Sequence, residues 1–256
     1  MKILLAIPVF RQFEYARKAA LSGLEHTPDS SVLVVDDASP DYDRQDWRGW
    51  PKENVHRHRF HRNKGVTRSW NFSLRYARDR GFEYAALLNS DVILTPGWFG
   101  PIEWALNNGV DLAGPVTNAP GHQDRQRVSH FLEQKYKATD DPAKLAEVAG
   151  ILAEQHPQKF KPCRINGFCM VAKTATWWRY PHSPDDVFDP KHAMTRNEDE
   201  FQGRIGKKDM VSAAVPASFV FHYRGVSRKG ATGGKQGRGW FRPPTGAQKK
   251  KKKDKK

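Results

Sequence analysis

Four short polar stretches in this chain carry side chains able to bind charge or move a proton. Asn89-Ser90-Asp91 follows the apolar run Tyr84-Ala85-Ala86-Leu87-Leu88. A carboxylate there can hold a hard divalent cation such as Mn2+ or Mg2+, whose other positions water and phosphate oxygens fill; the same triplet also reads as a plain turn. His222 closes another apolar run, residues 217–222, so its imidazole is either a second ligand to a cation at Asp91 or a structural histidine. Glu198-Asp199-Glu200 precedes Phe201 and Arg204. Acids suit the first turn of a helix, and one placed beside a hydroxyl could act as a general base. Residues 56–68 hold five Lys/Arg and lead into a helix, which fits either a phosphate contact or a solvated basic loop.

Something must bring these stretches together, and the pattern around them says what. Residues 2–9 form a continuous apolar run, as in a strand buried on both faces of a parallel sheet, and residues 13–26 repeat Phe13, Ala16, Ala20 and Leu24 on one helical face. Residues 31–35 predict a second strand ending at Asp36-Asp37. Residues 66–80 predict a helix stopped by Gly81, and residues 84–88 a third strand. Strands alternating with helices imply a parallel sheet with right-handed crossovers, whose ligands bind beyond the carboxyl ends of the strands. Acids stand at two of those ends, Asp36-Asp37 and Asp91, and Pro8-Val9 stands at the third. Residues 119–162 turn polar, with a helix predicted over 142–155, and read as an insertion packed on the sheet. Further strands are predicted over 165–171 and 217–222.

Composition bounds the class. With 256 residues, 38% hydrophobic and 28% charged, the chain can bury a real core, which excludes a peptide hormone, a fibrous repeat or a wholly disordered chain. The net charge of +15 suggests an anionic partner until it is located. Residues 224–256 hold thirteen Lys/Arg and one acid, a net of +12, leaving +3 for residues 1–223. Residues 229–256, rich in glycine and ending in lysines, predict a disordered tail able to hold the protein on nucleic acid or an acidic surface. Cys163 and Cys169 are too few for a disulfide scaffold and lack metal-site spacing, which points to a reducing compartment. Residues 3–7 begin like a leader, but Pro8 and Arg11 interrupt the run, and no stretch approaches the roughly 20 apolar residues that cross a bilayer. The expectation is a cytoplasmic protein with no transmembrane segment, at most peripheral to an acidic surface.

In order along residues 2–228, the chain resembles glycosyltransferase family 2 on the GT-A fold. The resemblance is carried by Ile7-Pro8-Val9, Val34-Val35-Asp36-Asp37-Ala38-Ser39-Pro40-Asp41, Asn63-Lys64-Gly65 with Asn71, and Leu87-Leu88-Asn89-Ser90-Asp91-Val92. It continues through Pro96-Gly97-Trp98, Asn166-Gly167-Phe168-Cys169-Met170-Val171, Phe188-Asp189, Glu198-Asp199-Glu200-Phe201, and His222 with Ser227. It implies a Rossmann-like, mixed but mainly parallel α/β sheet flanked by helices, with the helical insertion and the tail appended. The implied activity is inverting transfer of a sugar from a nucleotide-sugar donor to an acceptor hydroxyl of unknown class.

The resemblance also distributes roles. Pro8, Val9, Asp36, Asp37, Asn63, Gly65, Arg68, Asn89, Ser90 and Gly167 would bind the donor. Asp91 and His222 would hold Mn2+ or Mg2+ against its diphosphate. Asp199 would be the base, with Glu198 and Glu200 in reserve. The first position of the family's DxD element is Asn89 here, which bears on the sugar or ribose contact more than on the cation. The alternatives are a non-catalytic nucleotide-sugar or polyanion-binding protein, favoured if Asp199 turns away from the pocket, and a glycosyltransferase acting on nucleic acid. Acceptor selection is expected from residues 119–162, because the sheet edge is committed to the donor.

Overall fold

The computed structural model describes residues 2–44, 47–51, 53–121, 124–133 and 135–224. Ser227 and the tail at 229–256 lie outside the described residues. The strands are β1 (Ile3–Val9), β2 (Ser30–Asp36), β3 (Val55–Arg59), β4 (Tyr84–Leu88), β5 (Val92–Leu94), β6 (Leu112–Val116), β7 (Lys161–Pro162), β8 (Cys169–Lys173) and β9 (Ser212–His222). The helices are α1 (Phe13–His26), α2 (Val66–Asp79), α3 (Phe99–Asn107), α4 (Pro142–Gln155), α5 (Thr174–Trp177) and α6 (Asn197–Gly206).

One sheet runs β3-β2-β1-β4-β8-β6-β9-β5, with β7 also paired to β9. Parallel pairing joins β3, β2, β1 and β4, whose crossovers are α1 and α2. Beyond β4 the sheet changes character: β8 is antiparallel to β4 and β6, β9 is parallel to β6, and β5 and β7 are antiparallel to β9. The sheet is therefore mixed, and parallel pairing dominates only its first half. β2 and β4 are buried along their whole length, as their unbroken apolar runs require. Apolar clusters cover both faces, one built with α1 and α3, the other with α2, α5 and α6. A third joins Leu145, Val148, Ala149 and Leu152 of α4 to Phe219 and Phe221 of β9, so the polar middle of the chain packs on the last strand.

Two expectations change on inspection. Residues 55–59, read as the start of a basic loop, form the edge strand β3; ladder bonds to β2 supply what the Arg and His side chains do not advertise. The strand expected over 165–171 starts at Cys169, because residues 165–168 form the approach to it.

β9 owes its length to a break in register. It pairs with β6 through Pro115↔Val215, then resumes at Val116↔Phe219, which leaves Pro216, Ala217 and Ser218 out of step. Pro216 has no N–H for the ladder, and the bulge steers the strand towards β5. Ser218 Oγ donates to the Trp98 carbonyl at 2.6 Å, and Thr95 Oγ1 donates to the Phe219 carbonyl at 2.6 Å, pinning the bend.

The corner after β2 carries backbone strain. Ala38 holds φ 60°, the left-handed region that costs an L-residue about 1–2 kcal/mol, in a loop fixed by Asp36 and Ser39. Ala38→Gly removes that penalty and gives back part of the gain as unfolded-chain entropy, about 0.4–1 kcal/mol. The expected result in a thermal melt is a rise of about 1–3 °C; a lower melting temperature would show that the corner is not strained.

Candidate active site

Parallel register sets β1, β2 and β4 side by side with their carboxyl ends on one edge. Pro8 lies opposite Val35 and Val9 opposite Asp36, and the Asp37 N–H donates to the Val9 carbonyl at 2.8 Å. That edge opens into a cleft of about 430 Å³. Of the residues expected to bind the donor, Pro8, Val9, Asp37, Asn89, Ser90 and Gly167 line it, as do Asp91, His222 and Glu198. Asp36, Asn63, Gly65, Arg68 and Asp199 are not part of its lining.

The outsiders have structural work. Asp36, 1% exposed, accepts from the Ser39 N–H at 3.1 Å and from the Ser39 hydroxyl, and pairs with Arg59 at 3.3 Å. Burial lifts its carboxyl above the usual range, and the Ser39 bonds and Arg59 offset that in part. Asp37 accepts from the Lys64 N–H at 2.6 Å and the Gly65 N–H at 2.8 Å, so its carboxylate fixes the loop entering α2. Burial raises its pKa as well, against the pull of those two bonds. Asn63 donates to the Asp37 carbonyl at 3.2 Å, closing the same loop. Gly65 has φ 81°, and a Cβ there would stand 2.5 Å from the Ala193 carbonyl oxygen, so only glycine fits. Arg68 pairs with Asp186 at 3.6 Å.

Asp91 and His222 come together by register. β5 pairs with β9 so that Val92 lies opposite His222, and the Tyr223 N–H donates to the Asp91 carbonyl at 3.0 Å. His222 Nε2 then stands 3.2 Å from Asp91 Oδ1, with both side chains nearly closed to solvent. Its Nδ1 lies 2.8 Å from the Ala119 carbonyl oxygen, which can only accept, so Nδ1 carries a hydrogen. Asn118 holds the His222 backbone on both sides, accepting from its N–H at 2.8 Å and donating to its carbonyl at 3.0 Å. Phe168 stacks on the ring at 5.5 Å. With Nδ1 protonated, Nε2 of a neutral imidazole can accept from the Asn89 amide, whose Nδ2 lies 3.4 Å away, and the lone pair of Asp91 Oδ1 beside it makes the spot favourable for a positive charge. One oxygen and one nitrogen, oriented by an outer hydrogen bond, suit Mn2+ or Mg2+ with the shell completed by ligand and water oxygens. Among the described residues no cluster of three or more His, Cys, Asp or Glu forms a closed metal site.

Glu198 also lines the cleft. On α6 the buried side follows Phe201, Gln202 and Ile205, and Glu198 stands on that side at i, i−3, i−4 and i−7. Gln202 holds the helix to the sheet by exchanging two 2.8 Å bonds with the Ile165 backbone. Asp199 is rotated about 100° away. Glu200 pairs with Arg204 at 2.9 Å, and Arg204 also donates to the Tyr180 and Val187 carbonyls, so this acid braces the helix. A Cβ on Gly167 would lie 3.0 Å from Trp70 and 3.4 Å from the Glu198 carboxyl carbon, so bare backbone here leaves room for both. Gly167→Ala is expected to displace Glu198 or Trp70 and to lower turnover about 10- to 100-fold, with a stability loss of about 1–2 kcal/mol. Unchanged steady-state kinetics would show that the Gly167 contact does not position Glu198.

The cleft also contains residues not singled out from the sequence. Ser69 and Trp70 line it from α2, Pro120 and Gly121 from the polar middle segment, Met194 and Asn197 from the approach to α6. Val66, Ser69 and Trp70 are spaced i, i+3 and i+4, so their common face is legible, but a stripe of that kind usually marks core. The helix hydrogen-bonds to its neighbours through Asn71, whose amide exchanges two 2.9 Å bonds with the Phe188 backbone. Asp189 accepts from the Lys191 N–H at 2.9 Å, which with nearby His182 holds its carboxyl below the usual range.

A family model, glycosyl transferase family 2, matches residues 5–173. No curated protein sequence matches the chain. Among solved structures the chain is similar to GalNAc-T7 with UDP, GalNAc and Mn2+, at a TM-score of 0.59 and 13% identity over 87% of this chain and 44% of that one. It is similar to the mannosyltransferase PcManGT from Pyrobaculum calidifontis in complex with GDP-Man and Mn2+, at 0.58 and 14% identity over 88% of this chain and 58% of that one. It is likewise similar to S. aureus TarS, at 0.56 and 14% over 87% and 36%. The chain thus spans less than two thirds of each of these proteins, and at such identities the likeness is one of fold.

Proposed function

We propose, from the premise that the chain belongs to glycosyl transferase family 2, that it moves a sugar from a nucleotide-sugar donor to an acceptor hydroxyl, with inversion at the anomeric carbon. The observation that carries this reading is that Asp91, His222 and Glu198 line one cleft, with His222 Nε2 3.2 Å from Asp91 Oδ1. Pro8, Val9, Asp37, Asn89 and Ser90 all line the cleft; the first three would meet the nucleoside of a donor and the last two its ribose or sugar. GalNAc-T7 with UDP and Mn2+, and the mannosyltransferase with GDP-Man and Mn2+, are consistent with such a donor and cation.

Glu198 takes the proton from the acceptor hydroxyl. The acceptor oxygen forms its bond to the anomeric carbon as the bond from that carbon to the diphosphate oxygen breaks, and the electron pair leaves with the nucleoside diphosphate. Attack opposite the leaving group inverts the centre, so one carboxylate suffices. Asp91 and His222 would hold a divalent cation, Mn2+ or Mg2+, which would supply charge neutralisation at the diphosphate. Asp199, expected to be the base, is outside the cleft lining, which is the condition given for a non-catalytic protein; Glu198, the reserve carboxylate, lines the cleft and supports the catalytic reading in its place. Pro120 and Gly121 support a share for residues 119–162 in shaping the acceptor side.

Among the described residues no helix is long and apolar enough to cross a membrane. The test is a thermal-shift screen of nucleotide-sugars with and without Mn2+, followed by product analysis with the donor that stabilises most. A cation-dependent shift for one donor is expected; the absence of any shift across UDP-, GDP- and dTDP-sugars would overturn the reading.

A further inference from the structure

The mouth of the cleft beside Glu198 is built from two segments that lean on each other. The Thr67 N–H donates to the Ala193 carbonyl at 3.2 Å, Thr67 Oγ1 donates to the His192 carbonyl, and Asn197 Nδ2 donates to Thr67 Oγ1 at 3.0 Å. These bonds lay residues 190–197 across the start of α2. Residues 54–78 contain seven Lys/Arg and no acid, and residues 190–197 contain Lys191 and Arg196 and no acid. Where the two segments meet the cleft, at Val66 and at Met194, the neighbouring Arg62, Lys64 and Arg196 are all exposed.

Most other cations of the first segment are engaged: Arg59 with Asp36 and Asp43, Arg68 and Arg75 with Asp186, Arg78 with Asp79, and Arg57 over the Trp47 ring. Arg62 and Arg196 have no carboxylate partner among the described residues. Arg196 also holds φ 66° at the head of α6, two residues before Glu198, so its position is set by the turn that aims the carboxylate. Met194, 50% exposed, adds an apolar surface at the cleft two residues before Arg196. Unpaired guanidinium groups in such a setting suit planar anions, carboxylate or phosphate, through charge-assisted bonds.

We propose that the acceptor is an anionic glycan, one carrying carboxylate or phosphate near the accepting hydroxyl, seated on Arg62 and Arg196 beside Glu198. The proposal rests on the reading of Glu198 as the base. It gives the rim a function separate from any carried by the lysines of residues 249–256.

The test is titration of the full chain, without donor and at physiological salt, with hexagalacturonate, an oligomer of glycerol phosphate, and neutral maltohexaose. The variants are Arg62→Ser with Arg196→Asn, asparagine being tolerant of positive φ, and as control Lys207→Ser with Lys208→Ser at the far end of α6. The expected result is binding of an anionic oligomer over maltohexaose, weakened about tenfold by the first pair and not by the second. The tail is identical in every variant, so the difference isolates the rim. Preference for one anionic oligomer identifies the anion. Equal effects of the two pairs, no effect of the first, or maltohexaose binding as tightly would overturn the proposal. Such failure would leave the donor reading intact, because the nucleotide-sugar shift is measured separately.

Discussion

Glu198→Gln is expected to lower turnover about 100- to 10,000-fold while nucleotide-sugar binding, read as a thermal shift, stays within about twofold of the parent. The amide keeps the shape of the side chain and its place beside Gly167, but cannot accept the acceptor's proton. Asp199→Asn, one residue on and rotated out of the cleft, is expected to cost less than about fivefold, since it changes only the field at the site. The pair of variants separates two assignments that adjacent acids leave open. If Asp199→Asn abolished turnover and Glu198→Gln spared it, the proton would leave by the other carboxylate and the cleft geometry would have been misread. A common loss of donor binding in both would point to a role in fold rather than in chemistry.

The second large effect is on the cation. Asp91→Asn is close to isosteric, and its amide can donate to the Nε2 lone pair that Asp91 Oδ1 now faces at 3.2 Å. The protein without ligand should therefore melt no more than about 2 °C below the parent, since the amide supplies a donor where two acceptors faced each other. The Mn2+-dependent shift should disappear. A ligand at about 100 times its dissociation constant stabilises by about 2.7 kcal/mol, and weakening the cation by about 100-fold removes most of that. His222→Ala should abolish the same shift, at a further cost in stability from the void it leaves beside Phe168. If Asp91→Asn kept the full Mn2+ response, the cation would be held elsewhere and the proposed donor geometry would fall with it.

Much of this arrangement was legible in the chain itself, and the reasons are local. Residues 13–26 and 142–155 repeat apolar side chains at helical spacing between clear punctuation, and both helices have those bounds. Tyr84–Leu88 is apolar without interruption because both its faces are covered. β6 escaped notice: Leu-Ala-Gly-Pro-Val contains the two residues that ordinarily mark turns, and only its neighbours β8 and β9 make it a strand. α3 escaped too, being nine residues long and buried against strands that a linear reading cannot place. The antiparallel second half depends on contacts between residues far apart in sequence, such as Ala85 with Ala172, which no local pattern encodes.

The site divides in the same way. That Asp91 and His222 come together was legible because one follows and the other ends an apolar run, and a sheet can put such ends on a common edge. Choosing between Glu198 and Asp199 required the helical phase of α6, which was available: Phe201, Gln202 and Ile205 share a side with Glu198. Asp36 looked like a ligand-binding acid because composition cannot show that Ser39 and Arg59 already occupy it.

The length and position of β9 have a consequence for how the protein is made. Its eleven-residue span pairs with β5, β6 and β7 on either side of the bulge, and its final residue supplies the imidazole at Asp91. A nascent chain emerging amino end first can assemble β1 to β4 with α1 and α2 early, but until residue 222 has cleared the exit tunnel β5 has no partner strand and Asp91 no histidine. The pairing of Asp91 with His222 therefore arrives only with the last strand, and a truncated translation product would have the carboxyl edge of β1, β2 and β4 while lacking that pair.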